Sequence, residues 1–174
     1  KALRMGSAYH LGIEVLIKQG LDEAVEAVRN SYLGVSAFDL YDLSCECETV
    51  VRLLCGYQWR WEESGISHLE AERGFRLSLT NPATGKVSRL FDLAGKIDGV
   101  IQLEDARIAV RECKLLGEDI DPSADLWRRL RIDQQISLYV IAGRRLGYDV
   151  ATVLYDVTRK PTIKPTAVPV LDEL

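Results

Sequence analysis

The sequence contains no apolar run approaching the roughly 20 residues needed to cross a bilayer, and its first residues show no basic stretch followed by a hydrophobic block and a cleavage site. Both absences predict a soluble, cytoplasmic protein. Cysteine is sparse, with Cys45, Cys47, Cys55 and Cys113 the whole complement of 174 residues. Without a secretory signal or the density of a stapled secreted domain, reduced thiols are expected. Internal repeats and low-complexity tracts are also missing, which leaves no repeat array to expect. The formal charge of −4 argues mildly against a surface that coats itself in nucleic acid by charge alone. A carboxylate cluster can hide a local basic face in such a count, however, and Arg128, Arg129 and Arg131 form one local basic cluster.

What is present is the balance of a globular chain, 47% hydrophobic and 28% charged, at a length that suits one domain with a real core. A single domain over 1–174 is expected, helical over 1–64 and with its core over 65–160. The opening Lys1-Ala2-Leu3-Arg4 and the closing Pro161, Pro165 and Pro169 suggest a piece of a longer chain.

Helical spacing of Leu11, Val15 and Leu16 predicts a first helix over 8–18, ended by Gly20. A second runs over 21–29, and a third over 43–57, with Val50, Val51, Leu53 and Leu54 on one broad face. After Gly65, alternation through Phe75, Leu77 and Leu79 predicts a strand over 66–80, and Asn81-Pro82 begins a turn from which the chain returns through Val87 and Leu90. Strands over 93–103 and 107–116 complete an antiparallel meander. A long amphipathic helix over 124–146 and a last strand over 149–157 follow. The expected fold is α/β, a central mixed sheet flanked by helices.

The connection Glu104-Asp105-Ala106 fixes a register. If these residues form the loop, Leu103 pairs with Arg107, and counting back sets Asp98 opposite Glu112, about 5 Å apart at Cβ. Lys114 lies two residues after Glu112 and projects on the same face. Two anionic carboxylates so close repel, unless a divalent cation or a positive side chain neutralises them. A hard cation such as Mg²⁺ suits the pair, and a neighbouring lysine can hold a water or, as the neutral amine, deprotonate it for attack on a phosphodiester.

Alone, the tripeptide Glu112-Cys113-Lys114 is common by chance. In order with Asp98, with Gly6-Ser7-Ala8-Tyr9-His10 near the start and with Gln135-Ile136-Ser137-Leu138-Tyr139 after the lysine strand, it resembles the PD-(D/E)XK nuclease superfamily, in its RecB-like and phage exonuclease branch. The resemblance covers about residues 5 to 160. It implies a restriction-endonuclease-like core and a Mg²⁺- or Mn²⁺-dependent deoxyribonuclease, an exonuclease of DNA recombination or repair in a bacterial or phage-infected cell. His10, Asp98, Glu112 and the backbone carbonyl of Cys113 would hold the metal, Lys114 would assist the water, and Gln135 and Tyr139 would support the site or the DNA. DNA is the implied partner, with a homo-oligomer or a recombination partner protein left open. The alternative is a DNA-binding or structural module that keeps the fold without turnover. A cysteine-based metal-binding interaction domain is a third reading.

Other residues are weighed beside these. Glu14, one turn after His10, could orient that ring or be a solvated glutamate. Of Glu70 and Glu72, Glu70 is the weak choice to reach the carboxylates. Some RecB-like nucleases hold an iron-sulfur cluster with one cysteine before the core and three after it. Here Cys45, Cys47 and Cys55 all precede the core, so no such cluster is expected. The Cys45-x-Cys47 spacing is short for zinc, with His68 a distant fourth ligand, and buried thiols are expected instead. The three arginines of the long helix could meet phosphates or face solvent. Trp59 and Trp61 could stack on bases, though alternating aromatics more often belong to a core.

Overall fold

The structure is a computed structural model and describes residues 2–35 and 40–162. Lys1, Pro165 and Pro169 lie outside the described residues. Three helices come first, α1 (Ala2–Gln19), α2 (Leu21–Ser31) and α3 (Leu40–Trp61). Strands β1 (Ser67–Thr80), β2 (Val87–Gln102) and β3 (Ile108–Leu116) follow. The chain then crosses over through α4 (Asp125–Arg129), a 3-10 turn at Leu130–Ile132 and α5 (Gln134–Arg145) to reach β4 (Val150–Arg159). No described helix is long and apolar enough to cross a membrane.

The sheet has the order β1-β2-β3-β4. The first three strands form the expected antiparallel meander, and β4 lies parallel to β3 from Ile108↔Val150 to Leu116↔Arg159. Parallel neighbours need a long crossover, which α4 and α5 provide. Strand alternation then divides β3 between two layers. Cys113 and Leu115 join the apolar cluster of α1, α2 and α3, while Val110 joins Phe75, Ile97, Val100, Tyr139, Ala142 and Val150 under α5. The sheet is therefore covered by helices on both faces.

The buried stripe of α1 runs through Met5, Ala8, Tyr9 and Ile13, at i, i+3, i+4 spacing. Of the expected Leu11, Val15 and Leu16, the last two pack at the margin of this cluster, while Leu11 lines a cleft instead. Fully burying side chains of this size stabilises by about 1.5–3 kcal/mol each. At Gly12 a Cβ would stand only 2.4 Å from the buried Leu54 side chain, so α1 and α3 approach as closely as they do because no side chain separates them. Across the sheet, α5 sits tightly for the same reason. A Cβ on Gly143 would stand 2.9 Å from Val150 and 3.2 Å from Val110.

The single long helix expected over 124–146 is in fact interrupted. Asp133, in extended conformation at ψ 114°, accepts hydrogen bonds from the backbone N–H groups of Gln135 (2.7 Å) and Ile136 (3.3 Å). A side chain that satisfies the orphan donors of a first turn starts a new helix. The break aims α5 across the sheet, and with it Gln135 and Tyr139.

Candidate active site

The Glu104-Asp105-Ala106 loop closes as expected, with the Leu103 N–H donating to the Arg107 carbonyl at 2.9 Å. β2 and β3 pair from Gln102↔Ile108 to Gly99↔Arg111, which carries the register to the step before Asp98 and Glu112. There the strands part. Hydrogen-bonded pairs recur every second residue, so the Cys113 N–H would next meet the Ile97 carbonyl. Instead it donates to Oδ2 of Asp98 at 2.9 Å. A side-chain carboxylate thus replaces a rung of the ladder, and β3 continues to Leu116 with β4 as its partner.

The cleft opened by this parting, about 750 Å³, is lined among others by His10 and Glu14 of α1, Glu72 of β1, Lys96 and Asp98 of β2, Lys114 of β3 and Tyr139 of α5. His10 Nδ1 lies 3.5 Å from Asp98 Oδ2 and 3.7 Å from Glu72 Oε1. Among the described residues, His10, Glu72 and Asp98 are the one group of three or more His, Cys, Asp or Glu side chains able to offer ligand atoms to a shared ion, all within 4.8 Å of one another.

Glu112 stands deeper. It is wholly buried, and apart from the ammonium of Lys114, with which it forms an ion pair, its carboxylate oxygens have no partner among the described residues. Lys114 also donates to Oε1 of Gln135 at 3.0 Å, and Gln135 Nε2 donates to the Tyr139 hydroxyl at 2.9 Å. One polar chain therefore runs from Tyr139 through Gln135 and Lys114 to Glu112. The thiol of Cys113 points the other way, buried in the helix cluster, and burial pushes it up to about 12. The main chain of Cys113, rather than its sulfur, belongs to this site.

The electrostatics are those of crowded acids. Burial, reinforced by the charge of Asp98, pushes the Glu112 carboxyl up to about 7 despite Lys114. Burial also raises Asp98, against the pull of His10 and the Cys113 N–H. At Glu72 burial works against the charge, but the imidazole of His10 and the ammonium of Lys96 outweigh it and hold the carboxyl below its ordinary value. The Glu72 carboxylate in turn raises His10, with Asp98 helping and burial opposing. A divalent cation among these groups would displace the His10 proton and relieve the repulsion between carboxylates. The Glu112 carboxylate, answered only by Lys114 among the described residues, and the His10, Glu72, Asp98 grouping fit a hard cation bound by oxygen and imidazole.

The acid contributed by β1 is Glu72, not Glu70. Glu70 accepts from the Tyr148 hydroxyl at 2.8 Å and faces Arg73, away from Asp98. The reversal comes from the backbone. Pairing of β1 with β2 runs through Ala71↔Gly99 and Arg73↔Ile97, which sets Glu72 rather than Glu70 opposite Asp98, and Glu72 has φ 54°, a left-handed conformation uncommon for a residue with a Cβ. Simple alternation fails there, and sequence pattern carries no signal of it. Glu14 lines the cleft but is engaged by Lys18 one turn later, at 2.5 Å.

Arg128 pairs with Asp125, and Arg129 with Glu118 at 2.5 Å, so two of the three arginines have local carboxylates. Trp61 packs in the helix cluster, whereas Trp59 is 80% exposed, so the expectation of core fails for it. Cys45, Cys47 and Cys55 are free thiols on α3, and Cys55 is exposed rather than buried. Sequence reasoning also passed over Arg111, which is wholly buried on the opposite face of β3. It donates to the Tyr57 hydroxyl, and its Nε and Nη2 have no partner among the described residues.

Comparison with protein-family models gives no match, and neither does comparison with curated protein sequences. The functional reading therefore rests on geometry and on the ordered motifs.

Proposed function

We propose that the chain is a metal-dependent DNA nuclease that hydrolyses phosphodiester bonds, a phage-type exonuclease of recombination or repair with the restriction-endonuclease-like core of the PD-(D/E)XK superfamily. The observation that carries this reading is the convergence of Asp98 and Lys114, from strands that part between them, on a cleft also lined by His10 and Glu72, with the buried Glu112 paired to Lys114 behind it. Four acidic or imidazole side chains and one tethered ammonium are more than a solvated hairpin needs.

His10, Glu72, Asp98 and Glu112, with the Cys113 carbonyl, are the residues that would hold Mg²⁺ or Mn²⁺. When bound, such an ion supplies Lewis acidity, drawing charge from a phosphoryl oxygen and offsetting the charge that grows during in-line displacement. Lys114, fixed between Glu112 and Gln135, orients the attacking water and meets the negative charge that develops. Gln135 holds the ammonium from its other side and is itself held to Tyr139. Lys96, half-exposed at the rim beside Glu72, faces incoming phosphate. Leu3 and Leu11 give the cleft an apolar flank on the α1 side. Such a protein would work on DNA in the cytoplasm of a bacterial or phage-infected cell.

The test is degradation of linear and covalently closed duplex DNA with Mg²⁺, Mn²⁺ or EDTA, beside Lys114→Ala. Metal-dependent loss of the linear form alone, abolished in the variant, is the expected result. Cutting of both forms makes the protein an endonuclease. No cleavage of duplex or single-stranded DNA, with Lys114→Ala indistinguishable from the parent, refutes catalysis and leaves a DNA-binding or structural module.

A further inference from the structure

The β1–β2 hairpin extends beyond the sheet. β2 pairs with β3 only over Gly99–Gln102, so residues 87–98 have β1 as their strand neighbour. Near the tip the ladder is deliberately broken. Ser78 pairs with Asp92 and Thr80 with Val87, so Leu79 alone faces the four residues Ser88, Arg89, Leu90 and Phe91. Ser88 Oγ accepts from the N–H groups of Leu90 (3.2 Å) and Phe91 (3.0 Å), which ties the extra residues into a defined knuckle. A bulge of this kind re-aims side chains. Here it sets Leu90 84% and Phe91 66% exposed.

Charge is concentrated on the same arm. Residues 73–96 hold Arg73, Arg76, Lys86, Arg89 and Lys96 against the single acid Asp92, a net of +4 in a chain of −4; Arg73, Arg76 and Lys96 pair with Glu70, Asp92 and Glu72, while Lys86 and Arg89 lie exposed toward the tip. The arm is continuous with the cleft, since Lys96 lines it and Asp98 lies two residues further along β2. From Asp98 to Phe91 the strand rises about 24 Å, roughly seven stacked nucleotides.

We propose that this hairpin is a single-strand-holding arm, in which Lys86 and Arg89 take phosphates and Phe91 stacks on a base of the strand that enters the cleft. Basic residues interleaved with an exposed aromatic are the chemistry of sequence-tolerant single-strand binding. An acidic peptide could use the charges, but it offers nothing flat for the ring. The proposal rests on the nuclease reading for its direction toward the cleft, yet it is tested without turnover.

The experiment is fluorescence anisotropy of a labelled single-stranded DNA of about twenty nucleotides in EDTA, long enough to span cleft and knuckle. Phe91→Ala is expected to weaken binding about 5- to 100-fold, with Phe91→Trp restoring it. Replacing Lys86 and Arg89 together by Gln should lower the slope of log affinity against log salt by about 1.4. An oligonucleotide of about three nucleotides, too short to reach the knuckle, should bind all variants alike. Unchanged affinity in Phe91→Ala overturns the proposal. So does a loss confined to duplex DNA, and so does loss of self-association in sedimentation with single-strand affinity intact, which would make the knuckle a contact between copies. Binding that depends on Phe91 in a protein that cleaves nothing would support the arm while refuting the nuclease, so the two failures are distinct.

Discussion

Replacing Glu112 by Gln should stabilise the metal-free protein, and only above the pH at which the buried carboxyl ionises. Burial and Asp98 displace that carboxyl from 4.5 to about 7, a difference worth on the order of 3 kcal/mol. Because the folded value is raised, the folded state holds the proton more tightly than the unfolded chain. The favourable contribution is full below 4.5 and is lost as pH rises through about 7. At about pH 8 in EDTA the wild-type protein therefore carries a buried charge offset by Lys114, and the isosteric amide removes it. Lys114 loses its ion pair but keeps the Gln135 oxygen, so the net gain should be nearer 1–2 kcal/mol, a rise in Tm of about 2–8 °C for a domain of this size. At about pH 4, below the unfolded value, where Glu112 is largely protonated in both states, the two proteins should melt together. Saturating Mn²⁺ should reverse the order at high pH, because a ligand present at 100 times its Kd adds about 2.7 kcal/mol to whichever protein binds it. Thermal melts at both pH values, with EDTA or Mn²⁺, read all four corners. A Glu112→Gln protein that is less stable than wild type at pH 8 in EDTA, or whose difference ignores pH, would refute the reasoning.

Four further outcomes are expected. Glu72→Gln should weaken Mn²⁺ binding by about 10- to 100-fold in a calorimetric titration, a loss typical of removing one oxygen donor or its support, whereas Glu70→Gln should leave it unchanged. Metal binding should release protons and weaken as pH falls, because His10, raised mainly by the neighbouring Glu72 carboxylate, must be neutral to coordinate; calorimetry in buffers of different ionisation enthalpy measures this. Gln135→Ala should lower kcat on DNA by about tenfold or more, with metal affinity intact, since it frees Lys114 from its second anchor. Gly12→Ala should cost about 1–3 kcal/mol in urea denaturation, the penalty of overpacking, because its methyl would meet both Leu54 and Val28.

The element order and the critical register were legible because each rested on a local rule. Three loop residues at Glu104–Ala106 oblige Leu103 to face Arg107, and that carries the count as far as Gly99 opposite Arg111, where the pairing ends one step before Asp98 and Glu112. What escaped was set by tertiary or backbone detail. Asp133 has the chemistry of a helix cap, yet apolar spacing continues through it and masks the break. Glu72 reaches the cleft through a left-handed residue in mid-strand, where period-two reasoning has no purchase. Arg111 alternates with Glu112 in the chain, so a buried charge lies on each face of one strand, and only the packing of α3 shows that Tyr57 waits there.

The order in which the parts are made has its own consequence. Tyr9, the neighbour of His10, is tied through its hydroxyl to Thr158 at 2.7 Å, a contact spanning 149 residues. β4 also closes the far edge of the strand that carries Glu112 and Lys114. Contacts of such long range form late, and synthesis delivers the chain from its N-terminus. A ribosome-held chain that has not yet supplied β4 would therefore lack both the Tyr9 tie beside His10 and the strand that backs Glu112 and Lys114.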